Sequence, residues 1–390
     1  MLKQPSFTQQ EYQDRLARVQ RAMADRGLGL LVCHNLANIC YLCGFQTLGS
    51  YGYGFYELIV PADGQPTLFA SDFESHNARI FSWLADVVTY DVPPDADRGP
   101  VAVLANLLTD RGWAEARIGV ETGHYAMTVG QYRQLTARLS KADLVDATDL
   151  VDTVKIVKSS AEIDVLKRAA ALTTAGMLDG IDAARPGATD NAVAAAMYAR
   201  VIRDGGEYFS LQPIVTTGRR SGIPHSTFRR QTLASGDNGF LELSAAVERY
   251  SAPCLRTVCL GQPSDAVKRA FDGCLAGTDS LIENIRPGAS GRQVARRAAA
   301  ALRAVEPDLL WHGYYAYSVG LTFPPACSDC VSPCEITEKN DLTLAAGMVF
   351  HASISLRQVG QFGVTLGDTV LVTETGSQRL TQVPRQLFVR

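Results

Sequence analysis

The chain has 390 residues, of which 46% are hydrophobic and 20% are charged, and its formal net charge is −3. A chain of this length can bury a large core and is more typical of two domains than of one. The charge excludes the basic field that attracts nucleic acid or anionic lipid, so we expect a small-molecule substrate as partner and neither nucleic acid nor a membrane.

The N-terminal segment is polar and lacks the apolar region of a signal peptide, and no run of about 18 apolar residues follows it. We therefore expect a cytoplasmic protein. The nine cysteines are an odd number, which favours reduced thiols over a disulfide framework. Cys327, Cys330 and Cys334 form a C-x2-C-x3-C cluster, but no second CxxC pair completes a ligand set, so a structural metal there is the weaker interpretation.

The first predicted element is an amphipathic helix that starts with the capping pair Thr8 and Glu11 and ends at Gly27. A buried strand and a short helix follow, and then a hairpin whose turn contains Asp63 and Gly64. Strands and helices alternate after the hairpin. This order predicts an α/β layer domain over residues 1–155.

An aromatic, glycine-spaced segment lies between Gly49 and Tyr56 and reads SYGYGF. It fits a mobile lip over a pocket, with Tyr53 and Phe55 as the residues that would contact substrate. It fits an ordinary loop with exposed aromatic side chains equally well.

A polar stretch, VKIVKSSAEI, marks the predicted domain boundary, and Ser160 is the expected N-cap of a long helix behind it. In the second domain, residues 156–390, the segment 181–202 is similar to the segment 282–303. Each contains a helix, then Arg-Pro-Gly, a small residue, a Thr or Ser cap and another helix. Two such copies with antiparallel strands predict a pseudo-twofold α+β domain with its pocket where the half-sheets meet.

The segment from Ser221 to Thr257 is predicted to present an acid and a base. It contains His225, then a turn, then a strand with the carboxylate of Glu242 among apolar neighbours. A glutamate in such a strand is rarely buried without a partner, and burial raises its pKa. Two alternatives stay open: Glu242 pairs with Arg256 across the hairpin, and His225 is a structural histidine.

Further candidates in the second repeat are Tyr317, Asp329, His351 and Asp368. Asp368 would also fit a strand start, and Tyr317 a core position. The sequence has no HExxH, paired CxxC, GxSxG or phosphate-binding glycine loop, so a conventional zinc site or serine triad has no support.

Several motifs together resemble one family. They are KSSAEI, ARPGAT, PHSTF, RYSAPCLRT, SVGLTFPP, GMVFH and DTVLVTETG. The chain is similar over its whole length to the pita-bread hydrolases, which include methionine aminopeptidase, aminopeptidase P, prolidase, creatinase and ectoine hydrolase. The resemblance implies a creatinase-type α/β domain over residues 1–155 and a pita-bread catalytic domain over 156–390.

The resemblance also bears on metals. Peptidases of this fold hold two metal ions with five side chains, and the corresponding places in this chain are Glu242, Pro253, Tyr317, Ser353 and Gly367. Only one of these can bind a cation, so a dinuclear metallopeptidase is disfavoured. The metal-free creatinase and ectoine hydrolase groups are the better comparison. After Pro325 the chain has Cys327 and Asp329, where the ectoine hydrolase group tends to have a tryptophan and an acid.

The resemblance thus implies a hydrolase that needs neither a metal nor a cofactor and opens a C–N bond in a small amidine, guanidino compound or cyclic amide. Glu242 would be the nucleophile or the base, and His225 the general acid and base. The residues expected to bind substrate are Tyr317, His351, Asp368, Asp329, Arg256, Tyr53 and Phe55. A homodimer is expected, with the lid borrowed from the second subunit. A Xaa-Pro peptidase with a degraded metal site and a non-catalytic module that binds peptides or proteins stay open as alternatives.

Overall fold

The computed structural model describes residues 3–49, 54–91, 99–123, 127–311, 313–330 and 334–390. The chain separates into two compact units between Lys155 and Ile156. In the described part, no helix is long and apolar enough to cross a membrane.

The first unit is built on a six-stranded sheet with the strand order β4-β3-β2-β1-β5-β6. Its elements in chain order are α1 (Gln9–Asp25), β1 (Leu30–Cys33), α2 (Leu36–Cys43), β2 (Glu57–Pro61), β3 (Thr67–Ser71), α3 (Ser75–Phe81), β4 (Val87–Tyr90), α4 (Pro100–Asp110), β5 (Arg117–Val120), α5 (Val129–Arg138), β6 (Asp143–Asp146) and α6 (Leu150–Lys155). The predicted capping pair is confirmed, because the Thr8 hydroxyl accepts the Glu11 N–H at 3.2 Å.

The aromatic segment is only partly described. Tyr53 lies outside the described residues. Phe55 is 5% exposed, and its ring meets Phe69 edge-on at 6.2 Å in the core of the first unit. A ring buried in this way is not available as part of a lid, so the prediction that Phe55 contacts substrate is wrong.

The second unit has a nine-stranded sheet. Its main path is β11-β10-β12-β13-β9-β8-β7, with β14 added to β13 and β15 to β9. The elements are α7 (Ser160–Ala183), α8 (Asp190–Arg203), β7 (Ile214–Thr217), β8 (Asn238–Val247), β9 (Tyr250–Cys259), α9 (Asp265–Asn284), α10 (Gly291–Val305), β10 (Ala316–Ser318), β11 (Glu335–Ile336), β12 (Val349–Gln358), β13 (Phe362–Val372), β14 (Ser377–Arg379) and β15 (Phe388–Val389). A 3₁₀ helix, Gly218–Gly222, precedes β8.

The internal repeat and the α+β class are confirmed. Each copy has a helix pair, and the hydroxyls of Thr189 and Ser290 cap the second helix of each pair by accepting N–H groups at 3.1 and 3.4 Å. The expected N-cap at Ser160 is wrong by one residue. The Ser159 hydroxyl accepts the Glu162 N–H and the Glu162 carboxylate accepts the Ser159 N–H, which forms a capping box.

The four long strands of the second unit have two different faces. Leu243 of β8 lies against Gly176 of α7, and Ile354 of β12 lies against Gly277 of α9. We call this side the helix face and the opposite side the site face. Because side chains alternate along a strand, each neighbour of Leu243 and of Ile354 points to the site face.

The 3₁₀ helix is fastened directly to β13. The Gly363 N–H donates to the Ser221 hydroxyl at 2.9 Å, and the Asn238 amide donates to the Gly363 carbonyl at 2.6 Å. A Cβ on Gly363 would overlap the Ser221 carbonyl, and one on Gly222 would overlap the Gln358 and Phe362 carbonyls. Backbone atoms cannot rotate away as a flexible side chain can, so this approach requires glycine.

We expect Gly363→Ala to lower the free energy of unfolding by about 1–3 kcal/mol, because the added methyl group forces the 3₁₀ helix away from β13. Urea denaturation followed by circular dichroism measures the change. Gly376→Ala is the matched control, since a Cβ there meets no atom within 4 Å. Equal stability of the two variants would contradict the close packing.

Candidate active site

A row of residues on the site face crosses the sheet from β8 to β12. Glu242 of β8 lies opposite Leu255 of β9, and Leu255 lies opposite Gly367 of β13. Gly367 in turn lies opposite Ser353 of β12. Residues that are directly opposite each other in a ladder point to the same face. The row therefore places Glu242 on the surface that also carries His351, two residues before Ser353.

The sheet is strongly curved about this row. Tyr317 of β10 lies opposite His351, four strand intervals from β8, which is roughly 19 Å in a flat sheet. Burial, Cys327 and Glu242 nevertheless all raise the pKa of Tyr317 well above its ordinary value. Coulomb interactions between side chains weaken with distance, so an effect of Glu242 on Tyr317 indicates that the two side chains lie near each other. The site face is therefore concave, and Tyr317 reaches back towards Glu242.

The segment that follows β10 closes one end of this concave surface. Leu321 forms a bridge with Tyr250, and the Ser251 N–H donates to the Gly320 carbonyl at 2.9 Å. The Tyr208 hydroxyl donates to the Thr322 carbonyl at 2.6 Å. These contacts tie residues 319–322 to the closed end of the β8–β9 hairpin. The next residues, 323–330, which we call the closing loop, include Cys327.

A buried ion pair holds the far end of the closing loop. The Lys158 ammonium lies 2.9 Å from the Asp329 carboxylate and donates to the Ser318 hydroxyl at 3.0 Å, and both charged side chains are almost fully buried. Burial lowers the pKa of Lys158, but Asp329 and the groups around it together raise that pKa above its ordinary value, so the ammonium stays protonated. The prediction that Asp329 contacts substrate is wrong, because this carboxylate anchors the loop to Lys158.

Glu242 is the carboxylate at the centre of the site face. Its side chain is 8% exposed, and in the described part of the chain it forms no side-chain hydrogen bond or ion pair. Burial raises the pKa of Glu242 to about 7, and the nearby Arg357 opposes the rise. The expected elevation of its pKa is confirmed. Glu242 is therefore divided between acid and carboxylate near neutral pH, which suits a group that gains or loses protons.

Arg256 cannot pair with Glu242, because the two lie on opposite faces. Arg256 lies opposite Leu241 on the helix face, and Asp368 lies opposite Ala352 on that face too. The Arg256 guanidinium donates to Asp368 at 2.7 Å and to the Gly367 carbonyl at 2.8 Å. Both are essentially unexposed. The predictions that Arg256 and Asp368 bind substrate, and the alternative pairing of Arg256 with Glu242, are wrong.

His351 is a neutral member of the site face. Burial lowers its pKa to about 4, although Asp368 partly opposes this. Its ring stands edge-on to Tyr317 with 5.3 Å between ring centres. Neither imidazole nitrogen makes a hydrogen bond of ordinary geometry with the described residues. His351 is thus suited to exchange hydrogen bonds with a ligand as a neutral ring.

Cys327 lies beside Tyr317. Burial and Glu242 raise the pKa of the Cys327 thiol, so the thiol stays protonated and is a poor nucleophile. Cys330 lies near Ser318, and Cys334 packs in the core of the helix face. Cys330 packs against that same core, whereas Cys327 lies beside Tyr317, and among the described residues no group of three metal-binding side chains includes them.

Arg357 is a site residue that the sequence interpretation missed. Its guanidinium carbon lies 4.8 Å from the ring centre of Phe240, two residues before Glu242 on the same face of β8. Alternation along β12 is the signal that could have found it. His351, Ser353 and Arg357 are separated by even numbers of residues and share the site face.

His225 lies three residues beyond the 3₁₀ helix, on the surface. Its backbone is in the left-handed region, with φ of 53°, which is uncommon for a residue with a Cβ and is often maintained at functional sites. No hydrogen bond or ion pair joins His225 to Glu242 in the described part of the chain. The sequence predicted an acid and a base in one segment, and the structure leaves them without direct contact.

The five places that correspond to the metal ligands of the peptidases all lie on the site face, because Pro253 lies opposite Ser244 and points to the same side as Leu255. Glu242 is the one carboxylate among them; Tyr317 and Ser353 are neutral, and proline and glycine supply no ligand. Across the described residues, no group of three or more His, Cys, Asp or Glu side chains could hold a metal ion. These donors do not fit a dinuclear centre.

Two family models match the chain. The model for metallopeptidase family M24 matches residues 164–374, and the model for the creatinase/prolidase N-terminal domain matches residues 15–157. The chain belongs to metallopeptidase family M24. It has the two-domain pita-bread architecture of that family, as the motifs predicted.

Relatives in family M24 include proteins with different named activities. Ectoine hydrolase from Halomonas elongata is 29% identical over 98% of both chains. A Xaa-Pro dipeptidase from Pyrococcus furiosus is 24% identical over 96% of this chain and 99% of that one. Among solved structures, dipeptidase PepE from Mycobacterium ulcerans is 26% identical, covers 98% of this chain and 99% of its own, and superposes with a TM-score of 0.84. These comparisons place the chain among the hydrolases of this family.

We expect Asp368→Asn to lower the free energy of unfolding by roughly 3–5 kcal/mol, because it leaves the buried Arg256 without its charged partner. Urea denaturation measures the change, and Asp265→Asn, at a 94% exposed carboxylate, is the control that should shift it little. If the Asp368→Asn variant has normal stability but binds substrate poorly, Asp368 contacts substrate and the structural interpretation is contradicted.

We expect Glu242→Gln to stabilise the protein at high pH alone. The unfolded chain ionises this group from pH 4.5 upwards, whereas the folded protein holds the proton until about pH 7. The stability supplied by the raised pKa is complete below 4.5 and is lost as pH rises to about 7. Glutamine removes this dependence, so the variant gains about 3 kcal/mol over wild type at about pH 8 and almost nothing at about pH 4.

Unfolding free energies of the two proteins at both pH values test this expectation. Glu374→Gln, which changes an exposed glutamate on the surface, is the matched control. A gain that does not depend on pH would mean that Glu242 is ionised throughout.

Proposed function

We propose that this protein is a metal-independent hydrolase that opens a C–N bond in a small amidine, guanidino compound or cyclic amide. The observation that carries the proposal is Glu242, a buried carboxylate with a pKa of about 7 and no side-chain partner among the described residues. Similarity to ectoine hydrolase from Halomonas elongata supports the same substrate class.

Glu242 acts on the electrophilic carbon of the substrate. Either its carboxylate attacks that carbon and expels the nitrogen, which gives an anhydride-type acyl intermediate that water then hydrolyses, or it takes a proton from the attacking water. Both routes consume one water molecule and break one C–N bond. The leaving nitrogen requires a proton, and His225 is the proposed donor.

The neutral residues of the site face orient the substrate. Tyr317 keeps its phenol proton, and His351 stays neutral, so each exchanges hydrogen bonds with the substrate without competing for the proton of Glu242. The homodimer and the cytoplasmic location stay predictions.

A Xaa-Pro dipeptidase is the second candidate, and similarity to the enzyme from Pyrococcus furiosus favours it. Its weakness is the donor set, which offers Glu242 as the one carboxylate at the five ligand places. Xaa-Pro dipeptides therefore belong in the substrate panel, together with elemental analysis of the purified protein.

The experiment measures turnover of ectoine, guanidino compounds and Xaa-Pro dipeptides by metal-stripped protein. We expect hydrolysis of a non-peptide substrate without added metal. Glu242→Gln should lower kcat on the order of 10³-fold or more, and His225→Ala about 10²–10⁴-fold. Because the carboxylate form reacts, the rate should rise with pH, with its midpoint near the Glu242 pKa of about 7.

His76→Ala, at an exposed histidine of the first unit, and Glu374→Gln are the controls that should retain activity. Full activity in either site variant, or a strict requirement for added manganese, would refute the mechanism. Cleavage of Xaa-Pro dipeptides after metal is restored would favour the peptidase.

A further inference from the structure

The segment 223–231, which we call the histidine loop, follows the 3₁₀ helix and carries His225. Two of its residues have left-handed backbone conformations, with φ of 53° at His225 and 63° at Arg230. Residues with a Cβ rarely adopt this region, and such a conformation persists only where the surrounding structure enforces it. Neighbouring groups must therefore hold the loop in this shape.

Asp190 holds the second half of the histidine loop. It is the first residue of α8 and is 0% exposed. One of its carboxylate oxygens accepts the Arg229 N–H at 2.8 Å, and the other accepts the Gln231 N–H at 2.9 Å. These two residues flank Arg230. Relaxation of the left-handed backbone at Arg230 would therefore break hydrogen bonds to a charged group, which are stronger than neutral ones.

Arg220 holds the first half of the histidine loop. Its guanidinium donates to the Ser226 hydroxyl at 2.9 Å and to the Thr227 carbonyl. These are the two residues that follow His225. The same guanidinium donates to Asp190 at 3.2 Å. Because its N–H donors lie in one rigid plane, an arginine can serve all three acceptors at once in a fixed geometry.

The position of the His225 imidazole depends on this backbone. In the described part of the chain, no hydrogen bond or ion pair restrains the side chain of His225, which is exposed. The 3₁₀ helix that carries Arg220 is itself fastened to β13 through Ser221 and Gly363. Arg220 therefore connects the rigid sheet to the residues that follow His225.

We propose that Arg220 and Asp190 are positioning residues for His225, which hold the histidine loop in the conformation from which the imidazole donates its proton to the leaving nitrogen. The inference rests on the proposed function for the role of His225. Arg220 and Asp190 act through the backbone of the loop and need no contact with substrate. Without them the loop populates other conformations, so kcat falls while substrate binding is kept.

The first experiment is a double-mutant cycle with a substrate that the wild-type protein hydrolyses. We expect Arg220→Gln to lower kcat about 10–100-fold and to change KM by less than about 3-fold. Arg220→Lys should restore part of the rate, since it keeps the charge but not the planar set of donors. In a His225→Ala background, Arg220→Gln should have almost no further effect, because no imidazole remains to be positioned.

Asp190→Asn, which removes the charge and one acceptor oxygen, should lower kcat in the same direction and should also lose its effect in the His225→Ala background. Arg219→Gln is the matched control, since Arg219 is the exposed neighbour of Arg220 in the same 3₁₀ helix. It should retain the wild-type kcat. General damage to the site would instead lower the rate by the same factor with and without His225.

The second experiment does not depend on turnover. Amide hydrogen exchange of the ligand-free protein, measured by NMR, reports on the histidine loop directly. Arg220→Gln should speed exchange of the Arg229 and Gln231 amides on the order of 10-fold or more, while the amides of β8 and β9 exchange as in the wild type.

Three outcomes would overturn the proposal: unchanged exchange in the Arg220→Gln loop, an unchanged kcat although the loop is loosened, or a loss of kcat that persists in full without His225. Failure of the proposed function gives a different result. If the wild-type protein hydrolyses no substrate of the panel while Arg220→Gln loosens the loop, the reaction is refuted and the restraint of His225 by Arg220 is supported.

Discussion

Successive side chains along β8, β9, β12 and β13 alternate between the two faces of the sheet. One side chain points to the helices, and the next points to the concave site. The helix face carries the ion pair of Arg256 and Asp368. Arg256 also donates to backbone carbonyls, and Asp368 also lies within 4 Å of further arginines. The site face keeps Glu242 without such a partner among the described residues. The alternation of side chains along the strands thus separates the Arg256–Asp368 pair, which stabilises the sheet, from Glu242, which can react, although all of these groups are buried.

Much of the fold could be predicted from the sequence, because its signals are local. The caps at Thr8, Thr189 and Ser290 and the repeated Arg-Pro-Gly segments each mark a helix boundary within a few residues. Glu242 could be singled out for a similar reason, since its neighbours on the strand are apolar and burial follows.

The wrong predictions of substrate-binding residues have a different origin. They depend on strand register and on contacts between residues that are far apart in the sequence. The turn between β8 and β9 is formed by Glu248 and Arg249, which have positive φ angles without the usual glycine or asparagine, so the register that puts Arg256 on the helix face has no sequence marker. Asp329 forms its ion pair with Lys158, which lies far from it in the sequence of the second domain. Strand alternation would have revealed Arg357, but the sequence alone does not assign a face.

One electrostatic environment gives several groups different tasks. Burial holds Tyr317 and Cys327 in their protonated forms and His351 in its neutral form, whereas it brings Glu242 close to neutral pH because that group starts from a low pKa. Among these four residues, Glu242 alone changes charge near neutrality, so proton transfer at the site is concentrated in a single carboxylate.

The closing loop has a consequence for evolution. The residues just before the loop, Gly320 and Thr322, are hydrogen-bonded to the β8–β9 hairpin. The end of the loop is held by the ion pair between Asp329 and Lys158. Apart from Ser328, which donates to the Ser318 carbonyl at 3.0 Å, substitutions between these two anchors can reshape the wall that contains Cys327 while both anchors are kept. Descendants of a common ancestor could therefore acquire new substrates by exchanging half a dozen residues, while the machinery beneath them is inherited unchanged.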